Sequence, residues 1–257
     1  MIKLHANAEP VIDLSPEKLS AENQLFVIDP PETIGVPVAG SDRFFPVRNL
    51  YCVGRNYADH AVEMGGDPDR EPPFFFIKPA FTVTTRPEIP YPALTSDLHH
   101  EVELAVAVGA GFDPLQPMSC VFGFAVAIDL TRRDQQARAK DKSRPWEAGK
   151  TFPGAAPLGT IQPRIAGSGS NHSSAGELQA AGISLRVNGQ VVQSGNVNQM
   201  IWKIPEILAR INDLFELAPG DLVLTGTPAG VGPLLPGDQV EAAIEGLPPL
   251  AFRIRSS

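Results

Sequence analysis

Two glutamates one residue apart, in Glu101-Val102-Glu103, are the first feature of the sequence that could do chemistry. On a β-strand, residues two apart point to the same side with about 6–7 Å between their Cα atoms, so both carboxylates can meet one cation. The next residues on that side, Ala105 and Ala107, are small and leave room. A solvated strand face would alternate in the same way. Asp129 tips the balance toward a site, because it ends an apolar run, Val121 to Leu130, that is long enough to be an interior strand. Three carboxylates gathered around one point repel by roughly 4 kcal/mol per pair at about 4 Å and an effective dielectric near 20. A divalent cation removes that cost. All-oxygen ligands favour Mg2+, Mn2+ or Ca2+ over Zn2+, and three protein ligands leave octahedral positions for substrate oxygens and water.

Further reactive groups lie in Asp59-His60-Ala61-Val62-Glu63 and Gly149-Lys150-Thr151. His60 and Glu63, three apart on a short helix, share a face, so the carboxylate can orient the imidazole as a general base; a surface His–Glu pair has the same spacing. Gly149-Lys150-Thr151 resembles the end of a phosphate loop, but the glycine such a loop needs five positions earlier is Arg144. Lys150 is then either a surface charge or a buried partner for an anion. The stretch Thr225 to Pro233 is rich enough in glycine to bring backbone N–H groups close to an anionic ligand, or to be a tight connection and nothing more.

The elements that must hold these residues are mostly short strands. Leu50–Val53, Phe74–Ile77, Leu98–Val108, Asp221–Thr225, Gln239–Ile244 and Leu250–Ile254 read as strands between Gly/Pro turns. Asn188-Gly189 between Ile183–Val187 and Gln190–Gln193 predicts a hairpin. Arg132 to Lys140 reads as a polar helix, and Pro205 opens one whose Ile207, Leu208, Ile211, Leu214 and Phe215 recur at helical spacing. A helix start at Ser15-Pro16, a strand at Leu25–Ile28, a helix stop at Gly65-Gly66 and a loop over 167–176 complete the pattern. The expectation is an α+β fold, mostly β, with a mixed, largely antiparallel sheet, a short N-terminal extension over 1–45 and a catalytic domain over 46–257.

Composition narrows the function. The 257 residues carry 21 Lys plus Arg against 29 Asp plus Glu, a formal net charge of -8, with no basic cluster, which argues against nucleic acid and anionic membranes as partners. No apolar run approaches the roughly 20 residues of a membrane span, and the N-terminus has no signal-peptide core, so a cytoplasmic location is expected. Cys52 and Cys120 read as buried apolar residues in a reducing compartment. The 26 prolines and 23 glycines demand many turns.

Read in order, Cys52-Val53-Gly54-Arg55-Asn56-Tyr57-Ala58-Asp59-His60, Phe76-Ile77-Lys78-Pro79, His100-Glu101-Val102-Glu103-Leu104, Asp129-Leu130-Thr131, Gly149-Lys150-Thr151-Phe152, Val187-Asn188-Gly189 and Thr225-Gly226-Thr227-Pro228 resemble the fumarylacetoacetate hydrolase family, over about residues 50–255. Within it the chain looks like the acylpyruvase and fumarylpyruvate hydrolase branch. The resemblance implies a mixed β-roll, commonly a homodimer, with Glu101, Glu103 and Asp129 as ligands of Mg2+ or Mn2+ (Ca2+ as a substitute). It implies His60 and Glu63 as the water-activating pair, Lys150 as the catalytic lysine, and Arg55, Gln136 and Thr227 as substrate contacts. The implied reaction is hydrolytic C–C cleavage of a 2,4-dioxo acid such as an acylpyruvate or fumarylpyruvate. In it, His60 deprotonates the water that attacks C4, Lys150 and Gln136 support the oxyanion, and pyruvate leaves as an enolate. A fumaryl group would need a cation at the far end of the pocket, for which Arg55, Arg132 and Arg133 are the candidates. Decarboxylation of oxaloacetate or a related oxo-diacid, and keto–enol isomerisation, use the same metal and lysine. A non-catalytic dicarboxylate-binding paralogue is the alternative outside enzymology.

Overall fold

The structure is a computed structural model that describes residues 27–63, 72–164, 178 and 180–256. Ile34–Ser257 form one compact unit, and Met1–Thr33 a separate one whose described residues, 27–33, contain neither helix nor strand. The helix start at Ser15-Pro16, the glycine stop at 65–66 and the loop over 167–176 lie outside the described residues, as do Leu25 and Phe26; Val27 and Ile28 are not in a strand. Residues 35–45, assigned from the sequence to an extension, lie in the compact unit. There Gly35–Pro37 pairs antiparallel with Phe44–Pro46, and Val36 and Phe45 are buried.

Seven strands position the site: β1 (Asn49–Gly54), β2 (Phe74–Pro79), β3 (Val102–Val108), β4 (Val121–Ile128), β5 (Gly182–Val187), β6 (Gln190–Asn196) and β7 (Leu222–Leu224). The main sheet has the order Gln162–Pro163, β4, β3, β7, β1, β2, with only the β7–β1 pair parallel. A five-stranded sheet runs β6, β5, Gln239–Ile244, Leu250–Arg255, Glu88–Pro90, and a three-stranded one joins Thr131–Arg132, Leu98–His100 and Gly232–Leu234. Mixed sheets with few helices are the fold class expected from the sequence. The turn between β5 and β6 holds Asn188 at φ 51 and Gly189 at φ 80, the left-handed pair that a two-residue hairpin needs.

Alternation along β3 sorts its side chains onto two cores. Val102, Leu104, Val106 and Val108 join one apolar cluster with the five-stranded sheet, including Leu185 and Ile244. Ala105 and Ala107 join a second, with Ala125 and Ala127 of β4, Cys52 of β1 and Leu224 of β7. Every residue of β3 is buried, so its carboxylate-bearing face is not a solvated one. Cys52 and Cys120 are buried free thiols in different clusters.

One expectation is corrected. The single strand predicted from Leu98 to Val108 is broken at Glu101, because Leu98–His100 turns into the three-stranded sheet while β3 continues in the main one. The helix opened by Pro205, Ile204–Phe215, buries Ile204, Ile207, Leu208 and Ile211 but leaves Leu214 exposed, because it ends there with Glu216 in the left-handed region at φ 54. Phe215 is partly covered, stacked on Tyr51 with ring centroids 5.2 Å apart.

Candidate active site

The pairing of β3 with β4 brings the three carboxylates together. Val102 lies opposite Ile128 and Glu103 opposite Ala127, and one step further the Asp129 N–H donates to the Glu101 carbonyl at 2.9 Å. Glu101 and Asp129 are therefore cross-strand neighbours, and Glu103 follows two residues on along the same face. That face reads Glu101, Glu103, Ala105, Ala107 on one side and Asp129, Ala127, Ala125 on the other, so the carboxylates cap an alanine-lined wall. All three are buried and offer oxygens within 4.8 Å of one another.

Three cations balance them. Lys150 Nζ donates to Glu101 Oε2 at 2.8 Å, Asp129 Oδ2 at 2.7 Å and Thr131 Oγ1 at 2.7 Å, which spends all its N–H groups. Arg133 Nη2 pairs with Glu101 Oε1 at 2.5 Å, and its Nη1 donates to Gln136 Oε1 at 2.7 Å. Lys78, fully buried on β2, places Nζ 2.5 Å from Asp129 Oδ1 while its hydrogen bonds go to the carbonyls of Leu130 and Ala155. Burial raises the pKa of the Glu101 carboxyl, but Lys150 and Arg133 outweigh it and hold the group well below the usual carboxylate range. Glu103 goes the other way: burial first, then repulsion from Asp129 and Glu101, push it well above that range. Burial lowers the pKa of Lys150, and the attraction of Asp129 and Glu101 more than reverses that.

The imidazole faces the same cleft. His60, on α1 (Ala58–Glu63), places Nδ1 3.1 Å from Glu63 Oε2. Because that carboxylate accepts, Nδ1 carries the proton and Nε2 is left as the basic nitrogen. Glu63 is held in turn by the Gly230 N–H at 3.1 Å, and Glu103 Oε2 accepts from the Gly226 N–H at 2.7 Å. The glycine-rich stretch from Thr225 to Pro233 thus aims two of its N–H groups at the protein's own carboxylates. Gly226 sits at φ 95, and a Cβ there would lie 2.8 Å from the Cβ of Asn56.

An open cleft collects these groups. Of the residues singled out from the sequence, His60, Glu101, Glu103, Asp129, Lys150, Arg55, Gln136 and Thr227 all line it; Glu63 stands behind His60. Of the three arginines considered for a fumaryl group, Arg55 and Arg133 line the cleft, while Arg132 lies outside its lining and stacks over Phe152 at 4.4 Å.

Lys78 and two buried amides have roles that the sequence alone does not indicate. The signal for Lys78 was a lysine inside an apolar strand. Gln193, on β6, accepts at Oε1 from the Val102 N–H and from His100 Nδ1, and donates through Nε2 to Thr227 Oγ1 and the Pro228 carbonyl. Asn56 ties Thr225 and Trp202 together through its side chain. Both bonding patterns are long-range, and nothing local marks them.

Three buried oxygen ligands on one wall, with Glu103 pushed well above the usual carboxylate range by burial and by its two acidic neighbours, form a donor set that fits a hard divalent cation. Two of these oxygens are shared with Lys150, so such an ion would compete with an ammonium for them. Among the described residues this is the one cluster of three or more metal-ligating side chains.

Residues 49–255 match the sequence model of the fumarylacetoacetate (FAA) hydrolase C-terminal family. The chain belongs to the fumarylacetoacetate hydrolase family. Fumarylpyruvate hydrolase from Pseudomonas aeruginosa, solved in complex with Mn2+ and pyruvate, is 43% identical in sequence; the match covers 90% of this chain and 100% of that one, with a TM-score of 0.83. Oxaloacetate decarboxylase of Dictyostelium discoideum is 39% identical over 205 residues, 78% of this chain and 90% of that protein. The mitochondrial oxaloacetate tautomerase of Homo sapiens is 37% identical over 212 residues, 80% and 91% of the two chains. The relatives with these names are a hydrolase, a decarboxylase and a tautomerase.

Proposed function

We propose that this member of the family is a metal-dependent hydrolase that cleaves the C–C bond of 2,4-dioxo acids, acylpyruvates or fumarylpyruvate, to pyruvate and a carboxylic acid. The observation that carries the reading is the His60–Glu63 pair on the same cleft as the three carboxylates. Glu101, Glu103 and Asp129 would hold Mg2+ or Mn2+. When bound, the ion would supply Lewis-acid polarisation of the substrate's oxo-acid oxygens. His60 Nε2, basic because Glu63 fixes the proton on Nδ1, takes a proton from the water that attacks C4. Arg133 occupies Gln136 Oε1, which leaves the amide Nε2 of Gln136 to donate to the developing oxyanion. Lys150 has its donors committed to Glu101, Asp129 and Thr131, so its task in this geometry is to hold the carboxylates in register. The structural neighbour that bears the name fumarylpyruvate hydrolase supports this reading.

A second reading, oxaloacetate tautomerisation or decarboxylation, draws on the names of the curated relatives. The same imidazole could shuttle a C3 proton without attack by water. Purified protein with Mg2+ or Mn2+ assayed on acetylpyruvate, fumarylpyruvate and oxaloacetate separates the two. Hydrolysis of a dioxo acid, lost in His60→Ala while that variant still binds Mn2+ in a calorimetric titration, supports the proposal. Activity confined to oxaloacetate favours the second reading, and undiminished hydrolysis by His60→Ala removes the dyad.

A further inference from the structure

We propose that Lys140, together with Arg55, forms a cationic far end of the cleft that takes a second substrate carboxylate, so that the preferred substrates are dioxo acids with a carboxylate at both ends. This rests on the hydrolase reading for the identity of the substrate, but the recognition itself is a binding property. Helix α2 (Arg133–Asp141) turns Arg133, Gln136 and Lys140 toward the cleft, at positions i, i+3 and i+7 of one face. Arg133 is anchored on Glu101, and Lys140 stands two turns further on, about 10 Å along the helix axis. A seven-carbon dioxo diacid spans about 7–8 Å between its terminal carboxyl carbons when extended, so one end can lie at the carboxylate cluster and the other within reach of the lysine. Oxaloacetate, with four carbons, is too short to do both.

The charges are unequal along this path. Arg133 and Lys150 are neutralised by Glu101 and Asp129. Among the described residues no carboxylate pairs with Arg55 or Lys140. The ammonium of Lys140 lies over the Trp146 ring, 5.4 Å from its centroid, an arrangement that holds the head without discharging it. Its pKa is lowered, by partial burial first and then by the neighbouring cations Arg55, Arg133 and Lys150, which converge on the far end. Arg55 keeps a left-handed backbone, φ 55, a conformation that costs a non-glycine residue energy and that recurs at ligand-contacting positions. Between the two polar ends the walls are aromatic, with Phe74, Phe76 and Trp146 lining the cleft and the Phe74 and Trp146 centroids 5.8 Å apart. Flat apolar walls suit a planar unsaturated acyl chain. Two exposed cations at a cleft mouth could also serve solubility alone, and the experiment separates that from recognition.

The test compares 2-oxoadipate with 2-oxohexanoate, which differ only in the distal carboxylate, by isothermal titration calorimetry on the Mn2+-loaded protein. The expected result is binding of the diacid about tenfold tighter, an advantage lost in Lys140→Met and kept in Lys140→Arg. Equal affinities in the unmodified protein, or an advantage that survives Lys140→Met unchanged, would overturn the inference. In a parallel arm, the ratio of kcat/KM for fumarylpyruvate over acetylpyruvate should fall by about tenfold in Lys140→Met, mainly through KM. If neither acid is hydrolysed, the hydrolase reading fails, and the calorimetry still decides the role of Lys140.

Discussion

Replacing Gln193 by leucine should damage both the fold and the site. The side chain is buried and makes four hydrogen bonds: Oε1 accepts from the Val102 N–H at 3.0 Å and His100 Nδ1 at 2.9 Å, and Nε2 donates to Thr227 Oγ1 at 2.8 Å and the Pro228 carbonyl at 2.9 Å. Leucine fills nearly the same volume and satisfies none of them. At about 1–3 kcal/mol for each buried polar group left unpaired, with some recovered by relaxation, the loss should be about 4–6 kcal/mol. That is a large share of a total stability of about 5–15 kcal/mol and corresponds to a fall in Tm of about 8–24 °C for a chain of this size. Gln193→Glu keeps the two acceptor bonds, has no donor for the Pro228 carbonyl and adds charge near the carboxylates, so it should lose about half as much. Val102 lies between two proposed ligands, so Mn2+ affinity should also weaken about tenfold or more. Urea denaturation with calorimetric Mn2+ titration measures both effects. A Gln193→Leu protein within about 1 kcal/mol of the parent would refute the assignment of this amide as the brace between β3 and the Thr227 loop.

The remaining expectations concern the carboxylates and their supports. The raised pKa of Glu103 means that a divalent ion must displace its proton, so the Kd for Mn2+ should tighten as pH rises, with proton release visible when titrations are repeated in buffers of different ionisation enthalpy; a pH-independent Kd would contradict this. The sign for stability is opposite: below the unfolded-state pKa of about 4.3 Glu103 is protonated in both states and neutral for folding, and above it the group disfavours the metal-free fold increasingly up to its own raised pKa. Glu103→Gln should therefore raise the Tm of metal-free protein at pH 8 while abolishing the rise produced by Mn2+. Lys150→Met leaves Glu101 and Asp129 without their shared ammonium and should cost about 3–5 kcal/mol in metal-free protein, a deficit that Mn2+ reduces in thermal melts. Gly226→Ala puts a methyl group against Asn56 at a left-handed φ and displaces the N–H that holds Glu103, so it should cost about 1–3 kcal/mol and weaken Mn2+ binding, which urea denaturation and calorimetry will show.

Much of the site was legible because its chemistry is written at short range. Glu101 and Glu103 are two apart on a strand, His60 and Glu63 three apart on a helix, and Asn188-Gly189 sets its hairpin by its own backbone preference. Asp129 could be added because the apolar run before it made an interior strand. The break at Glu101 was hidden, since the apolar alternation continues through it and only partners far along the chain, Thr131–Arg132 and Gly232–Leu234, draw Leu98–His100 away. Lys78, Gln193 and Asn56 were silent for the same reason: each is defined by bonds to segments distant in sequence. The glycine-rich stretch was legible as a donor of N–H groups but not as to its recipient, which is a pair of carboxylates of the chain itself.

In the proposed reaction, water activated by His60 cleaves the C–C bond of a dioxo acid at this cleft. It is tested most directly by running the Mn2+-loaded enzyme on fumarylpyruvate in 18O-labelled water and weighing the products. The expected products are pyruvate and a fumarate that carries one 18O newly placed in the carboxyl group derived from C4, with both products lost in His60→Ala. Unlabelled fumarate, or no cleavage alongside rapid tautomerisation or decarboxylation of oxaloacetate, would contradict it.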